Sequence, residues 1–535
     1  MAKKKGVELK FDLILLVDKN RPELLDASVK SCISQSYSDW VLTLVFPKES
    51  GKKITDSIES WKSTDERIRS KAIEEGRCLG ETLNALLAKQ PRTYVGMLDV
   101  GGMLHKHCLR EIQKHILLRP SADVVYTDLE EVNPKTRRRI RRIRKPEYSP
   151  ENLLVSNYIG RFTVIRASKA LRSGGFRVGV DAAHEHDLLL RLSEKNAKFS
   201  NISCALYRVF KNKEVDEKMN SERVSATKSV IEAALARRGI NAGVAFDRTN
   251  KVFRIRYRFD TQPLVSIIIP FKDKTSVLKT CIKSIHEKTS YKNYEIVLVD
   301  NGSTEAAMPK YLKTLTKNKR IHIIKYNKPF NYAAINNYAA KKAKGKILLF
   351  LNNDIKVLVK DWIQEMLGLA MQKHVGVVGA KLVFPSGKIQ HTGTYFMKGI
   401  SDDLHFRQIN YNKGPRYDDR GKRLYDSIRN TIAVTGACMM IRREVYEDVG
   451  GMDEGFRVFF NDTDLCLRAW SKGYTVVYTP YNRIVHFEAT SRGRHYDAQI
   501  FKEFKRMNKK WGKQLKQDPF YSPKVPMLWG DWANV

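Results

Sequence analysis

Long apolar runs are missing from this sequence. No stretch approaches the roughly 20 consecutive apolar residues of a membrane-spanning helix, so nothing in it reads as a span. The nearest imitation is the N-terminus, where lysines precede an apolar segment. That segment is short, is interrupted by Glu8 and Asp12 and lacks a small-residue cleavage site, so it reads as a first strand rather than a signal peptide. Cysteine is sparse too. Cys32, Cys78, Cys108, Cys204, Cys281, Cys438 and Cys466 are scattered, odd in number and without metal-type pairing. This argues against a disulfide framework or thiolate metal site and suggests reduced thiols in a cytoplasmic protein. Helix-turn-helix, zinc-finger and aromatic RNA-binding signatures are absent, leaving sequence-specific nucleic-acid recognition weakly supported.

Negative charge is also in short supply. Against 96 Lys and Arg stand 58 Asp and Glu, a net charge of +38. Two readings stay open: attraction to phosphates, an anionic membrane face or acidic substrates, and a lysine-rich solvated surface with no partner. The densest run, residues 135–145 "KTRRRIRRIRK", would attract phosphates of any kind.

What is present is a globular composition and a duplication. With 535 residues, 42% hydrophobic and 29% charged, the chain has room for two to four domains with full cores. Residues 11–46 and 264–300 both read strand, helix, strand, and the correspondence continues into "TYVGMLDVGGML" over "KILLFLNNDIKV" and "HEHDLLLRL" over "NDTDLCLRA". A repeat this long means duplicated domains, not a solenoid. Strands alternating with helices imply α/β units with mostly parallel sheets and right-handed crossovers. The seam falls near Gln262-Pro263, giving expected domains of 1–250 and 262–535.

In "KILLFLNNDIKV" an apolar run stops abruptly at Asn352-Asn353-Asp354, the pattern of a buried strand ending in a turn. Ligands of open α/β sheets bind beyond the carboxyl ends of strands. A carboxylate there can hold Mg²⁺ or Mn²⁺ against a diphosphate, because both ions prefer oxygen ligands and share them with substrate phosphates. An ordinary turn would use the same residues.

Residues 264–535 resemble a family 2 glycosyltransferase of the GT-A fold, of the bacterial surface-polysaccharide, rhamnosyltransferase-like group. The resemblance is carried by "VSIIIPFKDK", "IVLVDNGSTE", "FNYAAINNYAAKKAKGKILLFLNND", "TGACMMIRREVYEDVGGMDEGF", "FFNDTDLCLRAW" and "TPYNRIVHFEATSRG", in the expected order. Residues 11–212 resemble a second GT-A-like domain more loosely. The resemblance implies that Asp300 contacts the nucleotide base, with Pro270 and Asp273 completing that wall. It makes Asp354 a metal ligand, Asn352 and Asn353 contacts to ribose or diphosphate, and His486 the second ligand. Where the family more often shows two aspartates, this chain has "NND". Arg492, in "SRG", would clamp the diphosphate, and Asp462 would be the general base, with Asp464 a structural carboxylate. An N-cap is the competing role for Asp462.

The reaction implied is a metal-dependent, inverting displacement of a sugar from a UDP- or dTDP-sugar donor onto a growing cell-surface glycan, a lipid-linked acceptor being one option. Residues 399–430, irregular in pattern, would shape the acceptor side, with His391 nearby. The tail from Asp497 reads as a basic amphipathic helix bearing Ile500, Phe501, Phe504 and Trp511. Core packing is its default role, and peripheral contact with an anionic inner membrane face the lesser one. In the first half, Phe46 stands at Asp300's place, Gly101 at Asp354's, Glu185 at Asp462's and Arg208 at His486's, which implies a degenerate domain binding acceptor glycan or stabilising the catalytic half. The alternatives are a two-site polymerase, with Arg208 standing in for the cation, and a non-catalytic basic protein that binds anionic glycan or nucleic acid.

Overall fold

The computed structural model describes residues 9–18, 22–89, 93–210, 220–398, 406–410, 426–487, 497–515 and 518–520. By contact the chain divides into two compact units, Met1–Ile240 and Asn241–Val535. Each holds the α/β sheet the repeat implies. In the second unit the strand order is Ile321–Lys325, Tyr294–Asp300, Val265–Phe271, Ile347–Leu351, Cys438–Arg442, Val375–Val383, Thr475–His486, Ile355–Val357. The first four run parallel. Cys438–Arg442 then enters antiparallel to both its neighbours, and Val375–Val383 pairs in parallel with Thr475–His486. The first unit repeats this order from Ile68–Ile73 through Trp40–Pro47, Phe11–Leu16 and Tyr94–Asp99 to Phe199–Phe210 and Gly102–Leu104, with the same parallel and antiparallel junctions.

The central strands are buried on both faces, which is why they read as continuous Val, Ile and Leu rather than as an alternation. Ile347–Leu351 is buried at every position. Helix Tyr332–Lys342 covers one face, N-capped by Asn331, whose side chain accepts from Ala334 N. Its Ala333, Ile335 and Ala339 share a core with Phe350, Met439, Ile441 and Met507. The hairpin of Ala242–Asp247 and Val252–Tyr257 lies in the second unit, where Arg254 pairs with Asp361, at the N-cap of helix Trp362–Ala370, and with Glu365 on that helix. Tyr257 packs so closely there that a Cβ on Gly368 would lie 2.4 Å from its Cδ2.

The arginine-rich run forms an edge hairpin, Arg139–Ile143 beside Val124–Val132. Arg139, Arg142 and Arg208 converge on Glu130, at 3.4, 2.7 and 3.1 Å, and Arg141 meets Glu131 at 2.7 Å. Much of its charge is thus paired within the fold. No helix among the described residues is long and apolar enough to cross a membrane. Tail helix Asp497–Trp511 buries Glu503, Met507 and Trp511, while Ile500 and Phe501 are 39% and 59% exposed. Those two therefore lie outside the core face that the default reading gave them, because a stripe running 503, 507, 511 turns positions 500 and 501 outward.

Candidate active site

The short strand Ile355–Val357 sets the geometry. It pairs with Thr475–His486 so that Ile355 lies opposite His486, and Asp354, one residue earlier, meets the imidazole. Asp354 Oδ1 lies 3.2 Å from His486 Nε2, both residues being buried. His486 Nδ1 is 2.8 Å from Gln390 Oε1, and Gln390 Nε2 donates to the His486 carbonyl at 3.3 Å, which orients the amide. An amide oxygen only accepts, so Nδ1 carries the hydrogen and Nε2 of the neutral ring turns its lone pair toward Asp354.

A carboxylate oxygen and an imidazole nitrogen at this distance can share a proton or a cation. Their spacing is close to the roughly 3 Å between neighbouring ligands of an octahedral ion with ~2.1 Å bonds. A carbonyl on the far ring nitrogen is also how metal-binding histidines are usually oriented. The residues therefore fit a hard divalent ion. Among the described residues no third His, Cys, Asp or Glu joins the pair, so water and substrate oxygens would complete the shell.

Asn352 extends this pair. Its Nδ2 lies 3.3 Å from His486 Nε2 and its Oδ1 accepts from the Tyr332 hydroxyl at 3.4 Å. The single hydrogen of that hydroxyl is shared with the Gly436 carbonyl, which lies nearer at 3.1 Å, and Gly436 N donates to Asp462 Oδ2 at 2.8 Å. The Asp354–His486 pair and Asp462 are thus linked through one tyrosine and one backbone loop. Burial, then the charge of Asp462, raises the Tyr332 hydroxyl and keeps it protonated as a donor. Burial likewise raises the Asp462 carboxyl, against the lowering effect of the backbone hydrogen bonds it accepts.

Asp462 is not the N-cap of helix Asn461–Ser471. The cap position is Phe460, in the left-handed region at φ 59°, which for a bulky residue costs on the order of 1–3 kcal/mol and persists only where neighbours enforce it. Asp464 is the structural carboxylate. It is buried and bound by Arg468 Nε at 2.8 Å, Lys510 Nζ at 2.7 Å and Trp511 Nε1 at 2.9 Å.

Asp300 ends its strand, and its Oδ1 accepts from Ser303 N at 2.9 Å. Asp273 sits at φ 52° and ties the same loop down, its Oδ1 accepting from Thr304 N and Glu305 N at 2.6 and 2.8 Å. Those two N–H groups lower its carboxyl from the usual range. Pro270 pairs with Val299, two residues past the last pair with Ile347–Leu351, where a missing N–H is tolerated. Asn353 is half-buried in the turn before Asp354.

His391 is a core histidine: 3% exposed, pushed down to about 3 by burial, its Nε2 accepting from Thr435 N at 3.2 Å. Within 399–430, strand Phe406–Asn410 pairs with Thr394–Lys398. Residues 399–405 and 411–425, and Arg492, lie outside the described residues. Sequence reasoning missed Tyr332, which falls in a segment it singled out, and Gln390, which it passed over beside His391.

The first unit departs from this plan. Its equivalent register pairs Gly102 with Val209, so Val209, not Arg208, occupies the place of His486. A slip of one residue turns a strand's side chains to the opposite face, and Arg208 instead reaches Glu130. Arg208 therefore does not replace the cation. Gly101 has φ +84°, and a Cβ there would lie 3.0 Å from Leu24 Cδ1. At the base position burial, and then Asp99, raises the Glu185 carboxyl.

Gly101→Asp should consequently build no second metal site. It should destabilise the protein by about 2 kcal/mol, lowering Tm by roughly 4–8 °C for a unit of this size. Thermal melts with and without Mn²⁺ check this, and a Mn²⁺-stabilised variant with an unchanged Tm would refute it.

Residues 266–450 match the model of glycosyl transferase family 2, and residues 416–518 that of glycosyl transferase family group 2. The chain is 34% identical over 475 residues to O-antigen biosynthesis protein RfbC of Myxococcus xanthus, covering 87% of this chain and 37% of that protein. It is 31% identical over 526 residues to the uncharacterized protein y4gI of Sinorhizobium fredii, covering 96% of this chain and 57% of that protein. The chain thus spans between about a third and three fifths of the length of these curated relatives. Among solved structures it is similar to GalNAc-T7 with UDP, GalNAc and Mn²⁺, at 16% identity and TM-score 0.39, covering 50% of this chain and 53% of that one. Residues 266–450 of the second unit thus form a glycosyl transferase family 2 domain.

Proposed function

We propose that the second unit transfers a sugar from a nucleotide diphosphate donor to a growing cell-surface glycan, with inversion at the anomeric carbon. The observation that carries this reading is the 3.2 Å Asp354–His486 pair, linked through Asn352, Tyr332 and Gly436 to a half-buried Asp462. Asp354 and His486 would hold a divalent cation, which supplies positive charge to the leaving diphosphate. Asp462 takes the proton from the acceptor hydroxyl. With a single base and no nucleophile assigned, one in-line displacement through an oxocarbenium-like transition state suffices. Asp300 would accept from the imide N–H of a uracil or thymine, which favours a UDP- or dTDP-sugar, and Pro270 and Asp273 would support that wall. Asn352 and Asn353 would contact ribose or diphosphate, and Arg492 would clamp the diphosphate.

The name of the Myxococcus relative supports an O-antigen-type glycan as product; a lipid-linked acceptor and peripheral membrane contact are the finer reading proposed with it. The first unit, lacking Asp300, Asp354 and His486 equivalents, would bind acceptor glycan or stabilise its neighbour. Calorimetry and product release with a panel of UDP-, dTDP- and GDP-sugars test the whole reading. Release of UDP or dTDP that requires Mn²⁺ or Mg²⁺ and stops with EDTA is expected. Absence of binding across the panel, or release indifferent to EDTA, would refute it.

A further inference from the structure

We infer that Glu503, on the tail helix, is a positioning residue for Asp462. This rests on the reading of Asp462 as the general base. Glu503 is 1% exposed, an unusual place for a glutamate. Its carboxylate turns away from the helix to accept consecutive backbone N–H groups: Arg457 N at 2.9 Å, Val458 N at 3.2 Å and Phe459 N at 2.6 Å. Gln499, one turn earlier, donates to the same carboxylate. A carboxylate satisfied by several backbone donors is a strong, directional clamp.

The clamped residues are those before Phe460, whose φ of 59° turns the chain into the helix that carries Asp462. A strained residue needs its flanks fixed to stay in place, and Glu503 fixes one flank. On the other, Asp464 N donates to the Phe460 carbonyl at 2.8 Å. The clamp reaches the rest of the site as well. The Arg457 carbonyl accepts from Tyr332 N at 2.8 Å, and the Tyr332 hydroxyl is the bridge to Asn352 and Gly436. The remaining contacts of the tail helix hold the same region: Arg506 and Lys510 grip Asp453 at 3.0 and 2.9 Å, and Trp511 and Lys510 grip Asp464. The tail helix thus buckles the loop before the base helix, and Glu503 is its tongue.

Glu503→Gln replaces one acceptor oxygen by an NH₂ group facing backbone donors. The full chain carrying it should release UDP or dTDP from nucleotide sugars at least tenfold more slowly. KM for the donor, and affinity for UDP–Mn²⁺ by calorimetry, should stay within threefold, because Asp300 and Asp354 are untouched. Amide exchange across 457–463 should rise while that of Ile347–Leu351 stays protected. Met507→Ala, a core truncation on the same helix, should lower Tm at least as much and leave kcat within twofold. Should Glu503→Gln fold poorly, Glu503→Asp, shorter by one methylene, should show the same kcat-specific loss in milder form.

A full kcat in Glu503→Gln overturns the inference, as does loss of folding in both Glu503 variants with kcat per folded molecule unchanged. Asp462→Asn run in parallel separates the two claims. If it stays active, the base assignment falls and takes this inference with it. If it is inactive beside a fully active Glu503→Gln, only the positioning role is refuted.

Discussion

Asp354→Ala is expected to slow sugar transfer by about a thousandfold and to remove its response to Mn²⁺, with little effect on folding. The magnitude follows from the charge involved. A bound divalent ion contributes several kcal/mol of charge stabilisation to a leaving oxygen, and each 1.36 kcal/mol is a factor of ten in rate. Asp354 is the one protein carboxylate of the expected ligand set, because Asn352 and Asn353 carry no charge. The backbone should tolerate the change. Phe487 N donates to the Asp354 carbonyl at 3.0 Å, and Ile355 opposite His486 keeps its register. The measurement is nucleoside-diphosphate release against Mn²⁺ concentration, alongside titration of Mn²⁺ into the UDP-bound protein. A variant that keeps a tenth of the rate, or binds Mn²⁺ as before, would show that the metal lies elsewhere or is not needed.

Much of this site is legible in the sequence because its parts sit at the ends of strands, where apolar runs stop. Asn352-Asn353-Asp354 and His486 both follow such runs, and the duplication predicts an α/β sheet in each unit. The legible part ends where a role depends on register or on distant contacts. Arg208 aligns with His486 by eye, yet strand pairing puts Val209 there, since one residue of slip leaves hydrophobic pattern intact while reversing the face. Tyr332 reads as one aromatic in a helical segment; only the fold brings its hydroxyl to Gly436, far along the chain. Gln390 gives no signal, because an amide that orients an imidazole leaves no periodicity. Glu503 in "FKEFKRM" reads as one more charge on a basic helix, whereas its burial comes from the loop it caps. Ile500 and Phe501 mislead in the opposite sense, since apolar residues on an amphipathic helix need not lie on the face that packs.

Asp462→Asn should lower kcat/KM by 10²–10⁴, the usual range for loss of a general base, while leaving the fold at neutral pH as stable as before or more so. The amide is nearly isosteric, and its oxygen can still accept from Gly436 N; its NH₂ must then face Thr463 N, a loss that removal of the charge offsets, and it cannot take a proton from an acceptor hydroxyl. Because burial raises the Asp462 carboxyl, the acid limb of the wild-type rate profile should lie above the ordinary aspartate value near ~3.9. Activity should fall as pH drops through that raised value, since only the ionised carboxylate is a base. Stability runs the other way. A carboxyl whose folded pKa exceeds its unfolded one makes a favourable contribution that is complete below the unfolded pKa and is lost as pH rises through the folded one. At pH 7 the folded protein therefore carries the cost of a partly desolvated negative charge, which the amide removes. A cap or structural carboxylate would give the reverse pattern, a lower Tm with the rate preserved, so melting curves and rate–pH profiles of this one variant decide between the two roles.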